Sequence, residues 1–214
     1  MKEQYEQFIQ ILEKENKDEA VSFVMELLEK DQITIEDLYN HLLGPALWNF
    51  HCQSEDQEIC IWKEHARTSI IRTILECTYP YISKRRKSAT LLNKKVVVFC
   101  PSEEYHEIGA IMVNHAFLLA GLESQYIGAN TPKYDIYSAV RILKPDYVAI
   151  SVTNYYNVVI TKQITERLKQ DFPQIKILIG GQAFKQIGAK EQVQYDQYLE
   201  SLDDIDRFGK EVAK

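Results

Sequence analysis

The run Lys94-Lys95-Val96-Val97-Val98-Phe99-Cys100 constrains this chain most, because its charges stop at the second residue and five uncharged, largely β-branched residues follow. A run of that kind is a strand buried on both faces, and such a strand needs helices on either side of its sheet. The spacing predicts them: a helix over 108–119, a strand over 122–128, a helix over 135–143, a strand over 146–152, a helix over 159–169 and a strand over 175–181. A fifth strand over 195–199 and a closing helix over 202–212 complete the pattern. Strands alternating with helices imply right-handed crossovers and an open parallel sheet, a doubly wound α/β domain of flavodoxin-like or Rossmann-like type over 86–214.

Residues 1–85 read differently. Phe8, Ile11 and Leu12 make one apolar stripe at helical spacing, and Ala20, Phe23, Val24, Leu27 and Leu28 make the next. Thr34-Ile35-Glu36-Asp37 announces a third helix, with a hydroxyl to cap free amides and acids at the positive helix end, running through Leu38, Leu42 and Leu43 toward Trp48. A fourth is expected from about Ile61 to Tyr79, ending before Pro80. The reading is a four-helix bundle, with the polar stretch FHCQSEDQE between its third and fourth helices and the basic run Ser83-Lys84-Arg85-Arg86-Lys87-Ser88 as a solvated linker.

The 214 residues, 45% of them apolar, suffice for a real core. A formal net charge of −6 argues against binding nucleic acid through its phosphates. The N-terminus lacks a signal-peptide core and no window reaches the ~18 apolar residues of a membrane span, so the expected location is the cytoplasm. Cys52, Cys60, Cys77 and Cys100 show no CxxC spacing and are expected as buried or incidental thiols.

In open parallel sheets ligands bind beyond the carboxyl ends of the strands. His106 lies in the loop after the first strand, Ser151 and Thr153 at the end of the third, and Gly180-Gly181 at the end of the fourth. No GxGxxG or GxxxxGK[ST] follows a strand, so a nucleotide site is disfavoured, and the first strand lacks the acidic pair of a receiver domain. A histidine in such a loop can be a metal ligand, a general base or a solvated residue. Glu104, two residues earlier, suits a carboxylate that fixes the tautomer of a metal-ligating ring.

Taken together, Glu104-x-His106-x-x-Gly109, then Ser151-x-Thr153, then Gly180-Gly181 resembles the cobalamin-binding signature DxHxxG...SxL...GG. The resemblance covers the C-terminal domain. It implies a cofactor bound base-off, with His106 as the lower cobalt ligand, Glu104 as its hydrogen-bond partner, Gly109 beside it, Ser151 contacting the buried nucleotide tail and Gly180-Gly181 allowing its close approach. Two positions depart from the signature: Glu104 stands for Asp, and Thr153 stands for Leu.

The helical half is similar to the lid of CarH- and LitR-type adenosylcobalamin photoreceptor regulators, where a Trp precedes a Glu-His pair that opens a helix. Trp48 and Glu64-His65 carry that likeness, with 15 residues between them. The wider spacing implies an insertion of about six residues that a loop can absorb. Trp48 is then expected against the adenosyl group, with Glu64 and His65 on its ribose. Asn49 stands where those regulators place an upper-ligand histidine, and His51 is the nearest substitute; His41 and His115 are read as structural or surface residues. No winged-helix region is expected before the helical half, so the expected output runs through a protein partner. The leading expectation is a stand-alone, non-enzymatic cobalamin sensor, with adenosylcobalamin as cofactor, light as the candidate signal and transcription regulation as the output. The alternative is a corrinoid carrier of a methyltransferase system, for which methylcobalamin is the fitting form.

Overall fold

The computed structural model describes residues 1–50 and 57–213. The chain forms two compact units, Met1–Arg85 and Arg86–Lys214.

The N-terminal unit is helical. Helix α1 spans Lys2–Glu13 and α2 spans Lys17–Glu29, and they bury the stripes Phe8, Ile11, Leu12 and Ala20, Val24, Leu27, Leu28. Helix α3 (Ile35–Asp37) opens on a capping box: the Asp37 N–H donates to Thr34 Oγ1 at 3.0 Å and the Thr34 N–H donates to Asp37 Oδ2 at 3.1 Å. It continues as a π-helical stretch, Leu38–Leu43, into α4, Gly44–Trp48. The wide turns have a local cause. Pro45 offers no N–H, and its ring would strike the carbonyl four residues back, so the chain unwinds just before it and the Gly44 N–H reaches five residues back to Tyr39 O. The Trp48 indole lies back over Gly44, where an added Cβ would sit 3.1 Å from the ring and 2.9 Å from Tyr39 O.

Helix α5 spans Gln57–Cys77 and α6 spans Tyr79–Ser88. The fourth helix ends before Pro80, as expected, and Pro80 itself stands in the first turn of α6, where a missing N–H costs nothing. One expectation for these helices fails. The basic run 83–88 is not a linker but the second half of that helix. Lys and Arg are good helix formers, and Arg85 Nη1 donates to Glu36 Oε2 at 2.7 Å. At the junction, Thr78 Oγ1 donates to Leu75 O at 2.7 Å and so accepts from Tyr39 OH at 2.8 Å; burial pushes the Tyr39 phenol up from its usual range. Cys60, expected as a thiol, is disulfide-bonded, a pairing that a search for CxxC spacing could not find, while Cys77 and Cys100 are free. His51 and Cys52 lie outside the described residues.

The C-terminal unit is a five-stranded, all-parallel sheet in the order β2-β1-β3-β4-β5, the flavodoxin-like arrangement: β1 Lys95–Pro101, β2 Glu123–Thr131, β3 Tyr147–Ser151, β4 Lys176–Gly180 and β5 Gln197–Leu199. The crossovers are α7 (Ile108–Leu119), α8 (Lys133–Leu143) and α9 (Val158–Asp171), and α10 (Leu202–Val212) closes the unit. Alternation along β1 divides the core. Val97 and Phe99 join Ile136, Val140, Ile164 and Leu168 of α8 and α9 on one face. Val96, Val98 and Cys100 join Phe117 of α7 and Phe208 of α10 on the other. Because the chain leaves β1 toward β2 and returns on the far side to β3, the loops after β1 and β3 part company between those two strands. That switch point is where the topology leaves a crevice. Among the described residues no helix is long and apolar enough to cross a membrane.

Candidate functional site

The loop after β1 is held in shape before any ligand arrives. The Glu104 N–H turns back to Pro101 O at 3.0 Å, and Glu103 adopts a left-handed φ of 65°. Asn130, at the end of β2, supports that conformation from both ends: its Oδ1 accepts from the Glu103 N–H at 2.8 Å, and its own N–H donates to Glu104 O at 2.9 Å. Ser102 Oγ adds a bond to Thr131 O at 3.2 Å. The loop is thus fastened to the neighbouring strand.

Glu104 is the centre of the arrangement and has 0% exposure. A buried carboxylate costs several kcal/mol unless its lone pairs are met. Here Oε1 accepts from the His106 N–H at 3.1 Å and from His106 Nδ1 at 2.6 Å. Oε2 accepts from the Thr153 N–H at 2.9 Å, the Asn154 N–H at 2.8 Å and Asn157 Nδ2 at 3.1 Å. Burial by itself raises the pKa of this group, but the bonds from His106, the Asn154 N–H and Asn157 outweigh it and bring the pKa down to about 2. An ionised carboxylate only accepts, so Nδ1 of His106 must be the protonated ring nitrogen. The lone pair available to a metal then lies on Nε2, on a ring whose side chain is 61% exposed. A donor at one nitrogen and a ligating lone pair at the other is the tuned arrangement of a metal-binding imidazole.

The remaining motif residues divide by what their geometry requires. Ser151 is buried at the end of β3, opposite Gly180 in the register. Gly181 has φ 106°, and a Cβ there would lie 2.2 Å from Val152 O; one at Gly180 would lie 2.8 Å from Leu199 O. The protein's own backbone crossing therefore demands both glycines. Gly109 is different: it sits in the first turn of α7, close in sequence to His106, and a Cβ there would meet nothing within 4 Å. Its bare surface leaves room for a broad ligand at the histidine. Thr153 takes part through its backbone N–H, so the departure from Leu does not disturb the Glu104 network.

Sequence reasoning missed Asn154 and Asn157, which supply two of the three donors to Oε2, and Asn130, which props the loop. The signal was present in SVTNYYN: two asparagines directly after a buried strand, where polar side chains need a reason. Among the described residues no group of three or more His, Cys, Asp or Glu could hold a metal ion. A metal at His106 must therefore bring most of its ligands with it, as a macrocycle does.

The helical unit's candidates are placed otherwise. Trp48 is 61% exposed at the end of α4. Glu64 and His65 do not open a helix: α5 begins at Gln57, and both lie on its exposed surface. Adjacent helical residues do not face one another, so the pair cannot act as one clamp. His115 is buried in α7, and burial lowers its pKa to about 4. A cavity of about 620 Å³, lined by Lys94, Arg141, Lys144, Asp146, Tyr147 and Lys176 among others, lies at the amino ends of the strands, away from the switch-point edge.

Residues 94–199 match the family model of the B12 binding domain. No sequence among the curated proteins matches the chain. Among the solved structures that resemble it are the following three. The monomethylamine corrinoid protein of Methanosarcina barkeri has a TM-score of 0.79 and 16% identity, with 99% of each chain covered. A cobalamin-binding protein of Desulfitobacterium hafniense DCB-2 has a TM-score of 0.53 and 14% identity, covering 98% of this chain and 90% of that one. A chain of the methanol:cobalamin methyltransferase complex of Methanosarcina barkeri has a TM-score of 0.52 and 17% identity, covering 96% and 78%. At these identities the likeness is one of fold.

Proposed function

We propose that this chain, whose residues 94–199 match the B12 binding domain model, binds cobalamin and is the corrinoid carrier of a methyltransferase system rather than a light sensor. The observation that carries the reading is the buried Glu104 holding Nδ1 of an exposed His106, beside the uncovered Cα of Gly109. The solved relatives favour the carrier over the photoreceptor that the sequence suggested first: one is described as a monomethylamine corrinoid protein and another belongs to a methyltransferase complex. A carrier must present its cofactor to partner enzymes, and exposed positions such as Trp48, Glu64 and His65 suit a surface that is covered only in part of a cycle.

When bound, the corrinoid supplies a cobalt centre able to take up and give away a methyl group. The chain's own residues bind and orient it. His106 Nε2 would hold the cobalt, with Glu104 keeping the ring turned and protonated at Nδ1. Gly109 lets the ring system lie close, and Ser151 with Gly180-Gly181 lines the place of the nucleotide tail. Trp48, Glu64 and His65 are the helical unit's candidates for contact with the cofactor, and a methyltransferase would be the protein partner. In this reading the chain is not itself an enzyme.

Loading the protein with methylcobalamin, and separately with adenosylcobalamin, in the dark and then recording size-exclusion profiles before and after green illumination tests it. A carrier retains methylcobalamin through the column and keeps its hydrodynamic size under light with either form. A light-driven change of assembly in the adenosylcobalamin sample would overturn the proposal, as would failure to retain either corrinoid.

A further inference from the structure

We infer that Asn157 is a positioning residue for the cobalt ligand, an inference that rests on the cobalamin reading of His106. Asn157 is only 5% exposed, and the single donor Nδ2 bridges Glu103 O at 3.2 Å and Glu104 Oε2 at 3.1 Å. One amide therefore fixes both the strained main chain before Glu104 and the oxygen of its carboxylate that faces away from the histidine. The main chain that carries it is itself held: Asn157 stands in the 3₁₀ turn Tyr155–Asn157, its backbone N–H donates to Asn154 O at 3.0 Å, and its backbone carbonyl accepts from Thr161 Oγ1 at 2.7 Å.

The consequence for His106 follows from how the two carboxylate oxygens divide their work. Oε1 serves the histidine alone, and Oε2 serves the β3–α9 loop alone. A carboxylate turns about its last bond through a broad, shallow well, so its plane is set by whatever holds its oxygens. The 2.6 Å bond from Nδ1 needs that plane aimed at the ring. Removing Asn157 leaves Oε2 on two backbone N–H groups and releases the Glu103 carbonyl, so the carboxylate can swing and the ring loses its fixed tautomer. The β3–α9 loop thereby sets how well a residue on the β1 loop presents Nε2. Asn157 touches neither metal nor ring; it acts through Glu104.

The test uses the full chain with cobalamin, reduced to the Co(II) state, and reads the nitrogen splitting of the cobalt electron-spin resonance. Protein made with ¹⁵N-histidine turns a three-line splitting into a two-line one only if the axial nitrogen belongs to the protein. If labelling leaves the wild-type splitting unchanged, the ligand reading of His106 fails, whatever Asn157 does. Given that the wild type responds, Asn157→Leu, which keeps the volume and removes the donor, should lower the ratio of His-ligated to unligated cobalt on the order of tenfold, as losing one hydrogen bond to a charged group does. In the cofactor-free protein the same variant should convert His106, followed by its ring ¹⁵N shifts, from one Nδ1–H tautomer to a mixture. Thr161→Val, which loses a bond to Asn157 O but none to Glu104, should lower the melting temperature and leave the splitting intact. Where Asn157→Leu does not fold, Asn157→Ser, too short to reach Glu104, takes its place. A folded variant with wild-type splitting and a wild-type tautomer would overturn the inference.

Discussion

In the α/β unit, Glu104 and His106 from one loop meet Thr153, Asn154 and Asn157 from another, and every link is a hydrogen bond of 3.1 Å or less. In the helical unit, Trp48 stands 61% exposed at a helix end, and Glu64 and His65 occupy an exposed stretch of α5. One unit holds a finished constellation before any ligand arrives; the other offers surface. The contrast teaches where a site's free energy resides. In the first it lies in the fold itself, so damage shows as lost stability as well as lost binding. In the second it can come only from whatever covers the surface, so damage shows in binding alone.

Glu104→Ala should break the first half of that comparison hardest. It strips the acceptor from three backbone N–H groups and the Asn157 amide in a buried place, so a loss of about 3 kcal/mol or more is expected. Urea denaturation of the cofactor-free protein measures it. A loss under about 1 kcal/mol would mean that the network is not built into the fold.

Acid should act on the same unit. His115 has its pKa lowered by burial from 6.5 to about 4, so between those values the unfolded chain binds a proton that the folded chain refuses. Stability then falls as the pH drops through that window, by about 3 kcal/mol in total, and is recovered above it. Urea midpoints from pH 7 to 4 should show the decline, and His115→Leu should flatten it. A slope unchanged in that variant would assign the acid sensitivity elsewhere.

The glycines separate folding from binding inside one motif. Gly181→Ala, at φ 106° and against Val152 O, should cost about 2 kcal/mol and lower the melting temperature of the cofactor-free protein. Gly109→Val should cost less than about 1 kcal/mol, since it meets open space, yet weaken cobalamin binding in equilibrium dialysis. If Gly109→Val binds as the wild type does, the histidine's surroundings do not cradle the macrocycle.

Trp48→Ala has the smallest expected effect on the fold, within about 0.5 kcal/mol, because the ring is mostly in solvent. The informative readout is the dissociation rate of bound cobalamin. A rate equal to the wild type would count against any contact of Trp48 with the cofactor.

Legibility in the sequence followed the range of the interactions concerned. The inner strands β1, β3 and β4 were read because a parallel strand buried on both faces must be apolar along its length, as Val96–Cys100 are, whereas the polar edge strand β2 was placed by its position between two helices. The capping box at Thr34 was read because it is closed by residues three apart. The helical status of 83–88 was missed because charge alone does not distinguish a solvated helix from a solvated linker, and the bond from Arg85 to Glu36 joins residues 49 apart. The position of Glu64-His65 well inside α5 was missed because the polar stretch FHCQSEDQE was read as irregular up to about Ile61, whereas α5 already includes Gln57.

By itself the sequence determined that a doubly wound sheet would form and that His106, Ser151 and Gly180-Gly181 would lie at its carboxyl edge, because period, burial and chain order suffice to place strand ends. Only the tertiary structure decided which donors fill Glu104, that Gly181 answers to Val152 while Gly109 answers to nothing within the protein, and that Asn157 stands behind the histidine. Those are contacts between loops some fifty residues apart, and the directions in which two loops point at a switch point depend on backbone angles that no local spacing records.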